Sequence, residues 1–134
     1  MKKTVILFLF SLLLTFVVGC TPSHYRLSFE EIDDMADYYP AQAEVFLERT
    51  DSNDNKGYYK LLACKIRYQI LGVYILRRDS DIEDAIQIFT KENNEPMLAR
   101  ALYYKGAMTF NTTHDTTQTL QILKQACRYS SIMR

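Results

Sequence analysis

From Ser28 onward the apolar positions recur with a helical period, and no stretch alternates as a strand would. Ser28 and Glu31 form an S-x-x-E capping box that opens the first helix. Phe29, Ile32, Met35 and Ala36 fall on one face of it. Glu30, Asp33, Asp34 and Asp37 fall on the other, which predicts a solvated acidic face suited to the helix dipole. Pro40 ends this helix at Tyr38-Tyr39, because a proline disfavours helical dihedrals in the residue before it. Pro40 also opens a second helix, where its missing N–H costs nothing. Ala43, Phe46 and Leu47 make the stripe of that helix.

A polar loop over residues 50–57 leads to a long helix predicted over residues 58–77. Tyr58, Leu61, Leu62, Ile66, Ile70, Leu71, Val73, Tyr74, Ile75 and Leu76 spread over more than one face of it, with Lys60, Lys65, Arg67 and Gln69 interleaved. A helix apolar on two sides packs on two sides. Ser80 and Glu83 suggest a second capping box, and Ile82, Ala85, Ile86 and Phe89 the stripe of a fourth helix. Asn93-Asn94 ends it. Pro96 falls in the first turn of a fifth helix, whose buried side is Leu98, Ala101, Leu102 and Met108. A polar loop over residues 111–115 precedes a last helix, with Leu120, Leu123, Cys127 and Ile132 facing in. The expectation is an all-α fold of about six helices. Short connections make neighbours antiparallel, and helix pairs repeated along a chain suggest a solenoid.

The N-terminus has a different pattern. Met1-Lys2-Lys3 is cationic, and residues 4–18 are apolar apart from Thr4, Ser11 and Thr15. A run of about 15 residues is short of the roughly 20 that a spanning helix needs. With small Gly19 behind it, the run reads as a secretory signal peptide over residues 1–19. An uncleaved signal anchor is the alternative. Val17-Val18-Gly19-Cys20 resembles the lipobox of bacterial lipoproteins. That resemblance implies cleavage after Gly19, a diacylglycerol on the Cys20 sulfur and an acylated Cys20 amine. Residues 20–27 would then be a short polar tether, and residues 28–134 the helical domain. Thr21 rather than Asp follows Cys20, which by resemblance to the usual lipoprotein sorting rule implies the outer membrane of a bacterial cell envelope, and no acidic run follows it, which implies the periplasmic face.

A second resemblance lies in the helices. Ala101-Leu102-Tyr103-Tyr104-Lys105-Gly106, followed by Thr119, Leu123 and Ala126, resembles a tetratricopeptide repeat. Gly106 sits where that family lets two helices touch, and Phe110 resembles its aromatic but falls one residue late. Ala43-Leu47-Thr50 has the second-helix spacing, and Ala85-Phe89-Glu92 has it more weakly. Residues 20–126 together resemble bacterial tetratricopeptide-repeat lipoproteins, which implies a TPR-like α-solenoid that binds a protein or peptide partner. Such proteins are usually longer, so a truncated member is a further reading.

Charge and chemistry narrow the classes. The chain balances 16 basic against 16 acidic residues, and loss of Lys2 and Lys3 would leave it slightly acidic. Neither a nucleic-acid footprint nor a polybasic lipid patch is present. His24 and His114 have no partners at metal-ligand spacing, so no metal is expected. Four glycines cannot build a phosphate-cradling loop, and no nucleophile motif occurs, so no cofactor and no enzymatic activity are expected. An enzyme or small-ligand receptor is the rival class. Cys64 and Cys127 either pair in an oxidising compartment or serve as small apolar side chains. Tyrosine doublets at Tyr38-Tyr39, Tyr58-Tyr59 and Tyr103-Tyr104 suggest a partner groove involving Tyr59, Tyr68 and Tyr104, since tyrosine is enriched at binding hot spots. Packing between helices is the other reading of these rings.

Overall fold

The computed structural model describes residues 26–71 and 80–130. Gly19, Cys20 and His24 lie outside these residues, as do Val73, Tyr74, Ile75, Leu76 and Ile132. The described chain is all-helical, with six helices: α1 (Phe29–Tyr38), α2 (Pro40–Glu48), α3 (Lys56–Leu71), α4 (Ser80–Lys91), α5 (Glu95–Thr113) and α6 (Thr116–Ser130).

The punctuation marks act as their chemistry dictates. The Ser28 hydroxyl accepts from Glu31 N–H at 3.2 Å, and Glu31 Oε2 accepts from Ser28 N–H at 2.8 Å. A single residue, Tyr39, separates α1 from Pro40 at the start of α2; its N–H donates to Met35 O. Asn93 takes a left-handed φ of 53° after α4, a conformation that asparagine tolerates better than most residues. The Asn94 side chain then caps α5 by accepting from Met97 N–H. Ser80 is itself the first described residue of α4, and Glu83 accepts from Lys105 Nζ at 3.0 Å.

Two expectations need correcting. The loop expected over residues 111–115 shrinks to His114 and Asp115, because α5 continues through Thr113. The hydroxyls of Thr109, Thr112 and Thr113 donate back to carbonyls one turn earlier, which satisfies these polar side chains inside the helix. The inward face of α6 also differs. Leu120 and Cys127 are exposed, whereas Thr119 and Ala126 are buried and Ile122 and Tyr129 pack on the core. The stripe is rotated because Leu123 and Ile122 close over Gly106 of α5. A Cβ at Gly106 would stand 2.7 Å from Leu123 Cδ2, so glycine permits this approach. Phe110 does not enter the core either; it is half exposed, edge-on to His114 at 6.1 Å.

Consecutive helices pack against each other throughout. α1 also touches α3, and α3 also touches α5. α3 is the centre. Its Tyr58, Leu62 and Ile66 pack with Ile32, Ala36, Ala43 and Leu47 of the first two helices. Its Leu61 and Cys64 pack with Ile82, Ala85 and Phe89 of α4 and Leu98, Ala101 and Leu102 of α5. The two-sided pattern read from the sequence is thus two apolar clusters sharing one helix. Cys64 is buried with Sγ 3.3 Å from Met108 Sδ, and no disulfide joins it to exposed Cys127.

Candidate functional site

Three helices converge on one carboxylate. Asp33 follows Ile32, at the edge of the buried stripe of α1, and is only 8% exposed. This corrects the expectation of a solvated acidic face: Glu30, Asp34 and Asp37 are exposed, but Asp33 is covered by α3 and α5. Its Oδ1 accepts from Lys65 Nζ at 2.7 Å, and its main-chain carbonyl accepts from the same ammonium at 2.9 Å. Its Oδ2 accepts from the Tyr58 hydroxyl at 2.7 Å and from Arg100 Nη2 at 2.5 Å. Lys65 reaches one helical turn further to Asp37 Oδ1 at 2.6 Å.

Burying these charges is costly unless each is paired and hydrogen-bonded, and here each is. Burial pushes the Asp33 carboxyl up, but hydrogen bonds from Lys65, Tyr58 and Arg100 outweigh it and hold the group below its ordinary value. Burial and the bond to Asp33 push the Tyr58 hydroxyl up to about 12. Burial works against the charge of Arg100, yet Asp33 holds its pKa above the ordinary value. The ring of Tyr58 stacks on Phe29 at 5.5 Å and lies 5.9 Å beneath the Arg100 guanidinium. None of these shifts brings a group toward neutrality, where general acid–base work needs it. The cluster holds fixed charge and fixes α1, α3 and α5 relative to one another.

An aromatic strip runs beside it. Tyr68 lies one turn beyond Lys65 on α3, and Tyr104 one turn beyond Arg100 on α5. Their rings meet edge-on at 6.1 Å. Tyr103 meets Tyr104 at 5.5 Å and is 57% exposed, which makes it the accessible end of the strip. Asn111 Nδ2 donates to the Tyr68 hydroxyl at 3.1 Å. Burial, then the Asp37 charge, pushes the Tyr104 hydroxyl up to about 12. Between α5 and α6, Ala99, Arg100, Tyr103, Tyr104, Ala126, Cys127 and Ser130 line a groove of about 310 Å³.

Of the tyrosines expected to share a groove, Tyr68 and Tyr104 come together. Tyr59 packs instead against the Ile32–Ala43 cluster. Sequence reasoning missed Asp33, Tyr58, Lys65 and Arg100 as a unit. One signal was available: Lys65 lies between Cys64 and Ile66 in the most apolar turn of α3, and a cation there needs a carboxylate.

Among the described residues no group of three His, Cys, Asp or Glu side chains is placed to hold a metal ion. No helix among them is long and apolar enough to cross a membrane. No family model matches the chain, and neither a curated protein nor a solved structure does.

Proposed function

We propose that this chain is a membrane-anchored bacterial lipoprotein whose TPR-like helical repeats bind another protein, as a scaffold or as part of an envelope signalling or assembly system. The observation that carries this reading is the order of helix contacts. α1 packs on α3, and α3 on α5, in addition to the contacts between consecutive helices, as stacked helix pairs do. Gly106 under Leu123 supports the tetratricopeptide resemblance, because that contact is what the motif glycine permits.

The binding surface in this reading is the strip of Arg100, Tyr103, Tyr104 and Tyr68. Tyrosine and arginine are the residue types that carry most energy at protein interfaces. The anchor is Cys20. One acyl chain holds a protein marginally, and two or more hold it firmly, so a triacylated cysteine needs no spanning helix. Thr21 rather than Asp after Cys20, with no acidic run behind it, supports the outer membrane, periplasmic face, as the location.

Two measurements test the two halves. Intact mass and membrane fractionation, with Cys20→Ser alongside, test the anchor; an unmodified chain retaining residues 1–19 would refute it. A photo-crosslinking residue at Tyr103, with one at Glu44 on α2 as control, tests the surface in the native envelope. A protein adduct specific to Tyr103 is expected. Equal adducts at both positions, or none at Tyr103, would refute the binding strip.

A further inference from the structure

Each earlier helix pair receives the first helix of the next. α3 packs against α1 and α2, and α5 against α3 and α4. Small side chains allow the approach: Ala36 and Ala43 are fully buried in the cluster with Leu62 and Ile66 of α3, and Ala85 in the cluster with Leu98 and Leu102 of α5. The groove between α5 and α6 has the same make-up. Ala99 and Ala126 are its buried small residues, Cys127 and Ser130 edge it on α6, and Tyr103 and Arg100 edge it on α5.

Charge decides what suits it. α6 contains Lys124 and Arg128 and no carboxylate. On α5, Arg100 lines the groove and shares its charge with Asp33, while Lys105 is paired with Glu83 of α4. Residues 1–27 of the same chain also lack any carboxylate, so they bring no complementary charge. A second copy docking through its own α6 would set Lys124 and Arg128 against their equivalents. A second copy's α1 is rich in carboxylates, but its Ile32 and Ala36 are fully buried in its own core, so it offers no apolar face.

Arg100 is placed to take a further carboxylate. Its Nη2 is held by Asp33 and its Nη1 donates to Met97 Sδ at 3.8 Å; its side chain remains 37% exposed, and it lines the groove. A guanidinium carries five N–H donors, so one anchored carboxylate leaves others for a second. Asp33 and the Tyr58 ring fix its orientation, which lowers the entropy lost on binding.

We infer that the α5–α6 groove receives an amphipathic helix of a partner protein, with small apolar side chains on the entering face and an Asp or Glu beside them for Arg100. This names a partner class and rests on the protein-binding reading above. A helix laid in a groove is recognised through anchors spaced three and four residues apart, and the charge beside them sets orientation.

The test pans the purified full chain, in detergent, against a displayed library of single helices with randomised surface positions. Retained helices are expected to carry an Ala/Ser/Leu stripe flanked by Asp or Glu. Retention should fall roughly tenfold or more with Cys127→Glu, which puts a carboxylate on the exposed groove wall without touching the core. Arg100→Gln should abolish the preference for acidic helices; Cys127→Glu keeps the test decisive if that variant loosens α1. Retained helices without carboxylates, no retained helix, or retention indifferent to Cys127→Glu would overturn the inference. Self-association in sedimentation that Cys127→Glu abolishes would also overturn it, by making a second copy the occupant. None of these results bears on the Tyr103 crosslink, so the protein-binding reading stands or falls separately.

Discussion

Lys65 and Asp33 meet twice: one ammonium donates to the carboxylate at 2.7 Å and to the main-chain carbonyl of the same residue at 2.9 Å. The lysine thus reads the backbone position of α1 as well as its charge. Slippage of α1 along α3 would break both bonds at once.

Removing one partner of this cluster leaves a buried charge with fewer of its partners: Asp33 keeps only Tyr58 and Arg100, and Lys65 only the carboxylate of Asp37. Lys65→Met should therefore destabilise the fold by about 3–5 kcal/mol, measured by urea unfolding. Asp33→Asn should be of similar size, because Lys65 and Arg100 then face an amide. A double-mutant cycle between the two positions should show strong coupling. A loss below about 1 kcal/mol for either single change would mean that the cluster contributes little.

The same carboxylate sets the acid limb of stability. The folded-state pKa of Asp33 is depressed, so its contribution is fully present above the ordinary aspartate value near 4 and is lost as pH falls through the lower folded value. Asp81, paired with Lys60 and Arg67, acts in the same direction. Acid unfolding of the wild type should steepen below about pH 4, and Asp33→Asn should flatten that limb. At the other extreme, Tyr58 and Tyr104 have raised pKa values of about 12. Their contribution is complete below the ordinary tyrosine value near 10 and is lost as pH rises through the folded value. Tyrosinate absorbance should show a late component that Tyr104→Phe reduces.

Thr119 is a flaw in the core. Its hydroxyl is the one buried side-chain oxygen or nitrogen without a hydrogen-bond partner among the described residues. Ala43 and Ala85 stand at the matching places of the earlier pairs by the spacing of their motifs, and both are fully buried. An unsatisfied buried hydroxyl costs about 1–3 kcal/mol, while the methyl lost with it is worth about 0.8. Thr119→Ala should leave stability unchanged or raise it by about 1 kcal/mol in thermal or urea unfolding. A clear loss would point to a partner for the hydroxyl, such as a buried water.

Gly106 should resist enlargement. Its missing Cβ is what brings Leu123 close, and two branched methyls there would push Leu123 and Ile122 off α5. Gly106→Val should cost about 1–3 kcal/mol in unfolding, despite the gain in helix propensity over glycine. A neutral outcome would show that α6 can shift as a body.

The helices themselves were legible in the sequence. Pro40, Asn93-Asn94 and the Ser28–Glu31 box are local signals, and helix capping and breaking are local chemistry. The two-sided packing of α3 was legible as well, since its apolar residues circle the helix. Three decisions were left to the tertiary structure. The phase of α6 was ambiguous because Leu120, Ile122, Leu123, Ala126 and Cys127 span a wide arc; contact with Gly106 on another helix chose Leu123 and Ala126 over Leu120 and Cys127. Tyr59 parted from Tyr68 and Tyr104 because nine residues at about 100° each put Tyr59 and Tyr68 on opposite sides of α3, which has a different cluster on each side. Asp33 looked like surface because burial of a charge depends on its partners, and those partners lie 32 and 67 residues away on α3 and α5. Periodicity along the chain determined which segments are helices and where they stop; only the meeting of distant helices could decide which charged side chain the core would enclose.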